Sequence, residues 1–249
     1  MQRIVCRYNR DISLGAWNQS QVRTCWSEAM AAAGLELDER RGFIFCPVLP
    51  SGASSEAERI ALSLSSLTEP SQLRDRLNQE LPTGLQISCA WVANPGCEDE
   101  NPARLDESDY ELRWSSAPPM GELFPRVADI LRQPTLPFTR VREHKTQVFD
   151  ARPLIISLTP AMGDRPFLLT LRNGEQGNLR PDEIFSLLGY TPAEDSVQVH
   201  RTEMRVSTWH NPPKTRSLGR DRRQSSNLKA SAVAGGYFEL RTLHEQVVK

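Results

Sequence analysis

The densest run of chemistry-bearing side chains in this 249-residue chain is Thr139-Arg140-Val141-Arg142-Glu143-His144-Lys145. Successive side chains of an extended strand point to opposite sides, so Arg140, Arg142 and His144 share one face, with Lys145 beside them. A row of cations on a sheet face can follow a phosphate backbone, which makes these four residues candidate RNA contacts. The competing account is the solvated outer face of an antiparallel strand, which is commonly charged, with Val141 and Glu143 on the other side. No aromatic motif of an RNA-recognition sheet accompanies the run.

Glu56 and Glu58 are same-face neighbours on an extended strand, the spacing of paired carboxylates for acid–base work or for a hard cation. No third ligand or histidine lies near them in sequence, and an acidic strand edge that discourages aggregation is the better account of them. Arg152 and Arg180 each stand beside a proline, in Asp150-Ala151-Arg152-Pro153 and Arg180-Pro181-Asp182-Glu183. Helix capping explains the second group, because proline at the first helical position followed by acids suits the helix dipole.

The remaining reactive residues are scattered. Five cysteines (Cys6, Cys25, Cys46, Cys89, Cys97) are widely spaced with no C-x-x-C, which argues against a disulfide framework and against a zinc or iron–sulfur site. Four histidines (His144, His200, His210, His244) show neither ligand spacing nor a Ser or Cys partner in sequence. Phosphate-cradling glycine motifs and the three-cysteine motif of a radical SAM cluster are absent. The expectation is no catalytic residue, no metal and no cofactor.

Hydrophobic content of 39%, charged content of 24% and a net charge of −1 describe an ordinary globular chain. Charge is unevenly placed: from Ser207 onward eight Lys/Arg oppose three Asp/Glu, leaving the rest at −6. Lys214, Arg216, Arg220, Arg222, Arg223 and Lys229 lie in a Ser-rich stretch without apolar periodicity, read as a disordered tail able to bind RNA or an acidic surface. Arg222 and Arg223 are its central RNA candidates. The amino terminus has no apolar core of a signal peptide, and no run approaches the roughly 18–20 apolar residues of a membrane helix, so a cytoplasmic location is expected.

These residues need elements to position them. Ile4, Cys6 and Tyr8 alternate as a strand over 2–8, and Asn18 with Gln21 forms a capping box for a helix carrying Val22, Trp26, Ala29, Met30 and Ala33. Strands follow at 42–46 and 57–67, a helix capped by Thr68 or Ser71 and carrying Leu73, Leu77 and Leu81, and a strand over 85–92. The order is β-α-β-β-α-β, the split βαβ of ferredoxin-like domains. Residues 94–109 read as a linker. The order then repeats less cleanly, with a strand at 110–114, a helix at 121–132, a single alternating strand over 138–149, apolar runs at 154–158 and 167–171, a short helix opened by Pro181 and a strand at 196–206. The expected class is α+β: tandem ferredoxin-like modules over 1–93 and 110–206 and a basic tail over 207–249.

The order and spacing of several short segments resemble the bacterial radical SAM-linked proteins, a domain of unknown function found beside or fused to a radical SAM enzyme. The segments are Trp26 through Ala-Ala-Ala-Gly-Leu35, Arg41-Gly42-Phe43, Pro47 through Ser-Gly-Ala-Ser-Ser-Glu56-Ala-Glu58, and Leu81-Pro-Thr-Gly-Leu85. They continue with Tyr110-Glu-Leu, Phe149-Asp150-Ala151-Arg152-Pro153 and Leu179-Arg180-Pro181-Asp182-Glu183. Two departures mark a divergent member: Asn18-Gln19-Ser20-Gln21 replaces a Ser-His-x-Asp helix start, and a basic loop after Gly42-Phe43 is deleted.

The resemblance implies a protein partner, a radical SAM enzyme, and makes Glu56, Glu58, Arg152 and Arg180 candidates for contacting it. The leading expectation is a non-enzymatic accessory protein of a radical SAM system that binds this partner and also RNA, in RNA processing or translation. The alternatives are an RNA-cleaving enzyme similar to the CRISPR repeat-RNA endonucleases, with only His144 and Lys145 to serve it, or a degenerate scaffold.

Overall fold

Alternating apolar side chains at 4, 6 and 8 form β1 (Gln2–Arg10), and Asn18 caps α1 (Gln19–Ala32) by accepting from the Gln21 amide while Gln21 returns the bond. Then follow β2 (Phe43–Phe45), β3 (Ala53–Leu64), α2 (Pro70–Glu80) and β4 (Leu85–Val92). The next elements are β5 (Glu107–Trp114), α3 (Met120–Arg132), β6 (Pro137–Arg142), β7 (Lys145–Asp150), β8 (Ile155–Thr159) and β9 (Phe167–Gly174). A two-residue β10 (Gly177–Asn178), α4 (Glu183–Leu187) and β11 (Val197–Arg205) complete the set. The computed structural model describes residues 2–207 except 39–41, 95, 98–99, 116, 143–144, 161–166, 175–176 and 192–196, and leaves the side chains of 142, 145 and 174 undescribed.

The result is a mixed α+β fold built on one nine-stranded sheet in the order β10-β9-β5-β11-β3-β1-β4, with β2 added on β3 and β8 on β9. Every pairing is antiparallel except that of β11 with β3. β6 and β7 form a separate two-stranded sheet. Met1–His210 form one compact unit.

Two apolar cores flank the junction of β3 and β11. One holds Ile4, Cys6, Tyr8, Trp26, Ile60, Leu62, Leu73 and Leu77, and the other Tyr110, Leu112, Val127, Leu154, Phe167, Leu169 and Phe185. Burying each of these large side chains contributes about 1.5–3 kcal/mol, so the cores carry most of the fold's stability. A third, small cluster holds Cys46, Ala57, Leu105 and Met204. Leu105 is 1% exposed, and the 3-10 turn Pro102–Arg104 packs on β2 and β3, so the far end of the expected 94–109 linker is fastened to the sheet.

Three expectations about elements are corrected. The strand expected to begin at 57 begins at Ala53, because Ala53, Ser54 and Ser55 pair with Val199, His200 and Arg201 far along the chain. α2 begins after Glu69, which makes no side-chain cap, rather than at Thr68 or Ser71; Pro70 opens it instead. The single strand expected over 138–149 is a hairpin, with Phe138 opposite Phe149 and Arg142 opposite Lys145. Alternation runs through so short a reversal on both arms, which conceals it in the sequence.

Candidate functional site

The parallel pairing of β3 with β11 is short, and a buried polar cluster pins it. Arg201 is 0% exposed and Glu58 is 4% exposed. Arg201 Nη1 donates to Glu58 Oε1 at 2.9 Å and to the Pro47 carbonyl at 3.1 Å. Its Nη2 donates to the Val48 carbonyl at 3.1 Å and to the Tyr110 hydroxyl at 3.0 Å, and Nε reaches the same hydroxyl at 3.3 Å. The Cys46 thiol donates to Glu58 Oε2 at 3.5 Å while accepting from the Arg59 amide at 3.3 Å.

One guanidinium therefore joins β3, β5, β11 and the 46–48 loop. Burial disfavours its charge, but Glu58, with Tyr110 and Cys46 behind it, holds the Arg201 pKa above its ordinary value. Burial, then Glu58, pushes the Cys46 thiol upward, so it stays protonated. Tyr8 is raised by the same two causes in that order, and burial lowers Arg10 against the pull of Glu58. With its donors spent on protein acceptors, the cluster is suited to holding strands in register.

Ionic contacts extend the seam outward. Glu203 receives Arg7 at 3.0 Å and Arg59 at 3.2 Å. Glu107 receives Arg172 and Arg205, each at 3.1 Å. Arg205 also reaches Asp109 at 2.5 Å, and Ser157 donates to Thr170, which donates to Asp109. Burial works against the Asp109 charge, yet hydrogen bonds from Arg205 and Thr170 hold its carboxyl below the usual range. Ser54 Oγ lies 2.8 Å from His200 Nδ1, which corrects the expectation that His200 lacks a serine partner. The bond ties β3 to β11 directly beside the buried cluster.

The second notable surface is the β6–β7 hairpin, and its faces are the reverse of a solvated strand. Arg140 turns inward: its Nε and Nη2 hold the two oxygens of Glu183 at 2.6 and 2.5 Å, and its guanidinium lies 5.0 Å from the Phe149 ring centroid. The hydrogen bonds that Arg140 donates to Glu183 hold its pKa above the ordinary value. Phe138 and Phe149 meet edge to face at 5.6 Å and pack against the second core. Val141 and Val148 point outward, 69% and 67% exposed, flanked by exposed Thr139 and Thr146.

The candidates named from sequence are thus dispersed. Arg140 is engaged by Glu183, so it does not offer an open cation to phosphate. His144, Arg222 and Arg223, and the side chains of Arg142 and Lys145, lie outside the described residues. Glu56 is exposed while Glu58 is buried on Arg201, because the pairing with β1 shifts register between Tyr8 and Arg10. The two do not form a carboxylate pair. Arg152 donates to the carbonyls of Ile155 and Leu131, fixing the turn before β8. Arg180 is exposed, and its amide donates to Glu183. Among the described residues no group of three or more His, Cys, Asp or Glu could hold a metal ion, and no helix is long and apolar enough to cross a membrane.

Sequence reasoning missed Arg201, Tyr110 and Cys46, and the coupling of Ser54 to His200. The available signal was an arginine at an inward position of an alternating strand, between Val199 and Met204.

The family model of an uncharacterized protein conserved in bacteria (DUF2344) matches residues 40–181, more than half of the chain. A search of curated proteins finds no match. A chain in the solved structure titled "Crystal Structure of a Cbf5-Nop10-Gar1 Complex" is 9% identical, with a TM-score of 0.43, over 81% of this chain and 48% of that one. This chain therefore spans about half the length of that one.

Proposed function

The chain belongs to the bacterial family DUF2344, and from that premise we propose a non-enzymatic accessory protein that docks on a protein partner, a radical SAM enzyme, through the outer face of the β6–β7 hairpin. The observation that carries the docking surface is the inversion of that hairpin: Arg140 is spent inside on Glu183, and the β-branched residues are turned to water. The segments quoted above as resembling radical SAM-linked proteins motivate the identity of the partner.

Size argues for the kind of occupant. Six residues of strand at about 3.3 Å each and two strands about 4.8 Å apart give a face of about 20 by 10 Å. That is far below the roughly 800 Å² per side of a stable dimer interface, so a second copy of this chain is a poor fit. An extended, uncharged segment of a partner, laid on the valines or added to a hairpin edge, suits it.

Two ferredoxin-like modules joined edge to edge, over 1–93 and 110–206, are the architecture we propose for the body. β2-β3-β1-β4 and β8-β9-β5-β11 follow the same order, each with a helix after the first and third strands of its set, which supports the reading. In this reading the hairpin is an insertion in the second module. RNA contact at the hairpin turn and the tail, or RNA cleavage by His144 and Lys145, rests on sequence charge alone and is the second reading.

The test is co-expression of the full chain with a radical SAM enzyme from the same organism. Wild type is expected to co-purify with the enzyme, and the Val141→Glu/Val148→Glu double variant to lose it while keeping its thermal stability. Absence of any complex with wild type, or full retention by the folded variant, overturns the proposal.

A further inference from the structure

A groove of about 310 Å³ lies between α1 and the end of α2, and its lining shares no residue with the buried cluster or the hairpin. That volume is at the lower end of small-ligand sites. Its apolar wall comes from Ala29, Ala32, Pro82 and the thiol-bearing Cys25, and Trp17 and two carboxylates, Glu28 and Glu80, complete the lining. Trp17 is half-buried, whereas Glu28 and Glu80 are exposed. Neither glutamate has an ion-pair partner among the described residues.

Cations of the chain that stand near these helices are occupied elsewhere. Arg76 on α2 donates to the carbonyls of Ala33 and Gly34 at the end of α1. Arg23 on α1 lies over the Phe45 ring at 5.1 Å. Two carboxylates and an indole are thus left around one apolar wall with no described cation to satisfy them.

We infer that this groove is a binding site for a basic side chain, an arginine of a protein partner. A planar guanidinium can stack on an indole while its five N–H groups serve two carboxylates. Its methylene stem would lie along the apolar wall. Lysine offers the same charge without the plane, so arginine is the better match. The inference takes its source of arginine from the partner-binding reading, but the groove itself is independent of the hairpin.

The probe is N-acetyl-arginine amide, titrated into the full chain and followed by NMR at Trp17 and Cys25. Saturable binding is expected, with a Kd on the order of 1 mM for so small a ligand. Glu28→Gln/Glu80→Gln is expected to weaken it at least tenfold, and Trp17→Leu also to weaken it; circular dichroism checks that each variant is folded. The uncharged N-acetyl-norleucine amide is expected not to bind. No saturable change in wild type, or unchanged affinity in the folded double glutamate variant, overturns the site. Arginine binding without enzyme co-purification sinks only the proposed function; hairpin-dependent co-purification without arginine binding sinks only the groove.

Discussion

Glu58 on β3 and Arg201 on β11 stand 2.9 Å apart with both side chains buried, and this single contact spans 143 positions of the chain. Removing one partner of such a pair leaves an uncompensated buried charge, which costs about 3–5 kcal/mol, whereas replacing both by apolar groups is often neutral. Arg201→Met is therefore expected to lower the urea midpoint sharply, and Glu58→Leu/Arg201→Met to recover much of the loss. Equal destabilisation by single and double variants would mean that packing, not charge, dominates at the seam.

Arg140 is expected to behave as a stability residue. Arg140→Ala strips two charge-assisted hydrogen bonds from Glu183, each worth about 1.5–3 kcal/mol, and should lower Tm clearly. Affinity for a generic single-stranded RNA, measured by fluorescence anisotropy under conditions where the variant is folded, should not change.

Gly15 and Gly52 pass backbone against backbone. A Cβ at position 15 would sit 3.1 Å from Gly52 Cα and 2.9 Å from the Ile12 carbonyl oxygen. Gly15→Ala is expected to cost about 1–3 kcal/mol in chemical denaturation, the usual range for overpacking. Gly121→Ala, where nothing lies within 4 Å of the added carbon, is the matched control.

The lowered pKa of Asp109 has a defined sign. A carboxyl depressed in the folded state stabilises the fold above its unfolded pKa of about 3.9, and that contribution is lost as pH falls through the folded value. Wild-type stability should therefore fall on the acid side of this window, and Asp109→Asn should flatten that limb. An unchanged acid limb in the variant would refute the assignment.

Thiol reactivity should follow burial. Cys89 and Cys97 are exposed, Cys6 and Cys46 are buried, and burial raises the pKa of both buried thiols. A disulfide reagent at neutral pH should label Cys89 and Cys97 in the native protein, and Cys6 and Cys46 only after unfolding. Rapid native labelling of Cys46 would contradict the closed seam.

Much of the local structure was legible because its causes are local. The Asn18–Gln21 capping box, the inward alternation of Ile4, Cys6 and Tyr8, and the stop of α1 near Gly34, at φ 61°, are each written within a few residues. The hairpin at 137–150 was not, because a strand and its short reversal share one alternating pattern, and only the partner strand reveals the turn. For the same reason the sequence placed Arg140 on an open face, while Glu183, 43 positions later, draws it inward.

The amino-acid sequence by itself determined the α+β class, the positions of most strands and helices, and the charge contrast between body and tail. Hydrophobic period, caps and charge depend only on neighbours along the chain. Tertiary structure alone decided that nine of the strands form one sheet, that Glu58 is a buried anchor while Glu56 stays in water, and that the hairpin turns its valines outward. Each of these depends on which distant residue arrives opposite, and a buried charge is placed by its partner rather than by its neighbours in sequence.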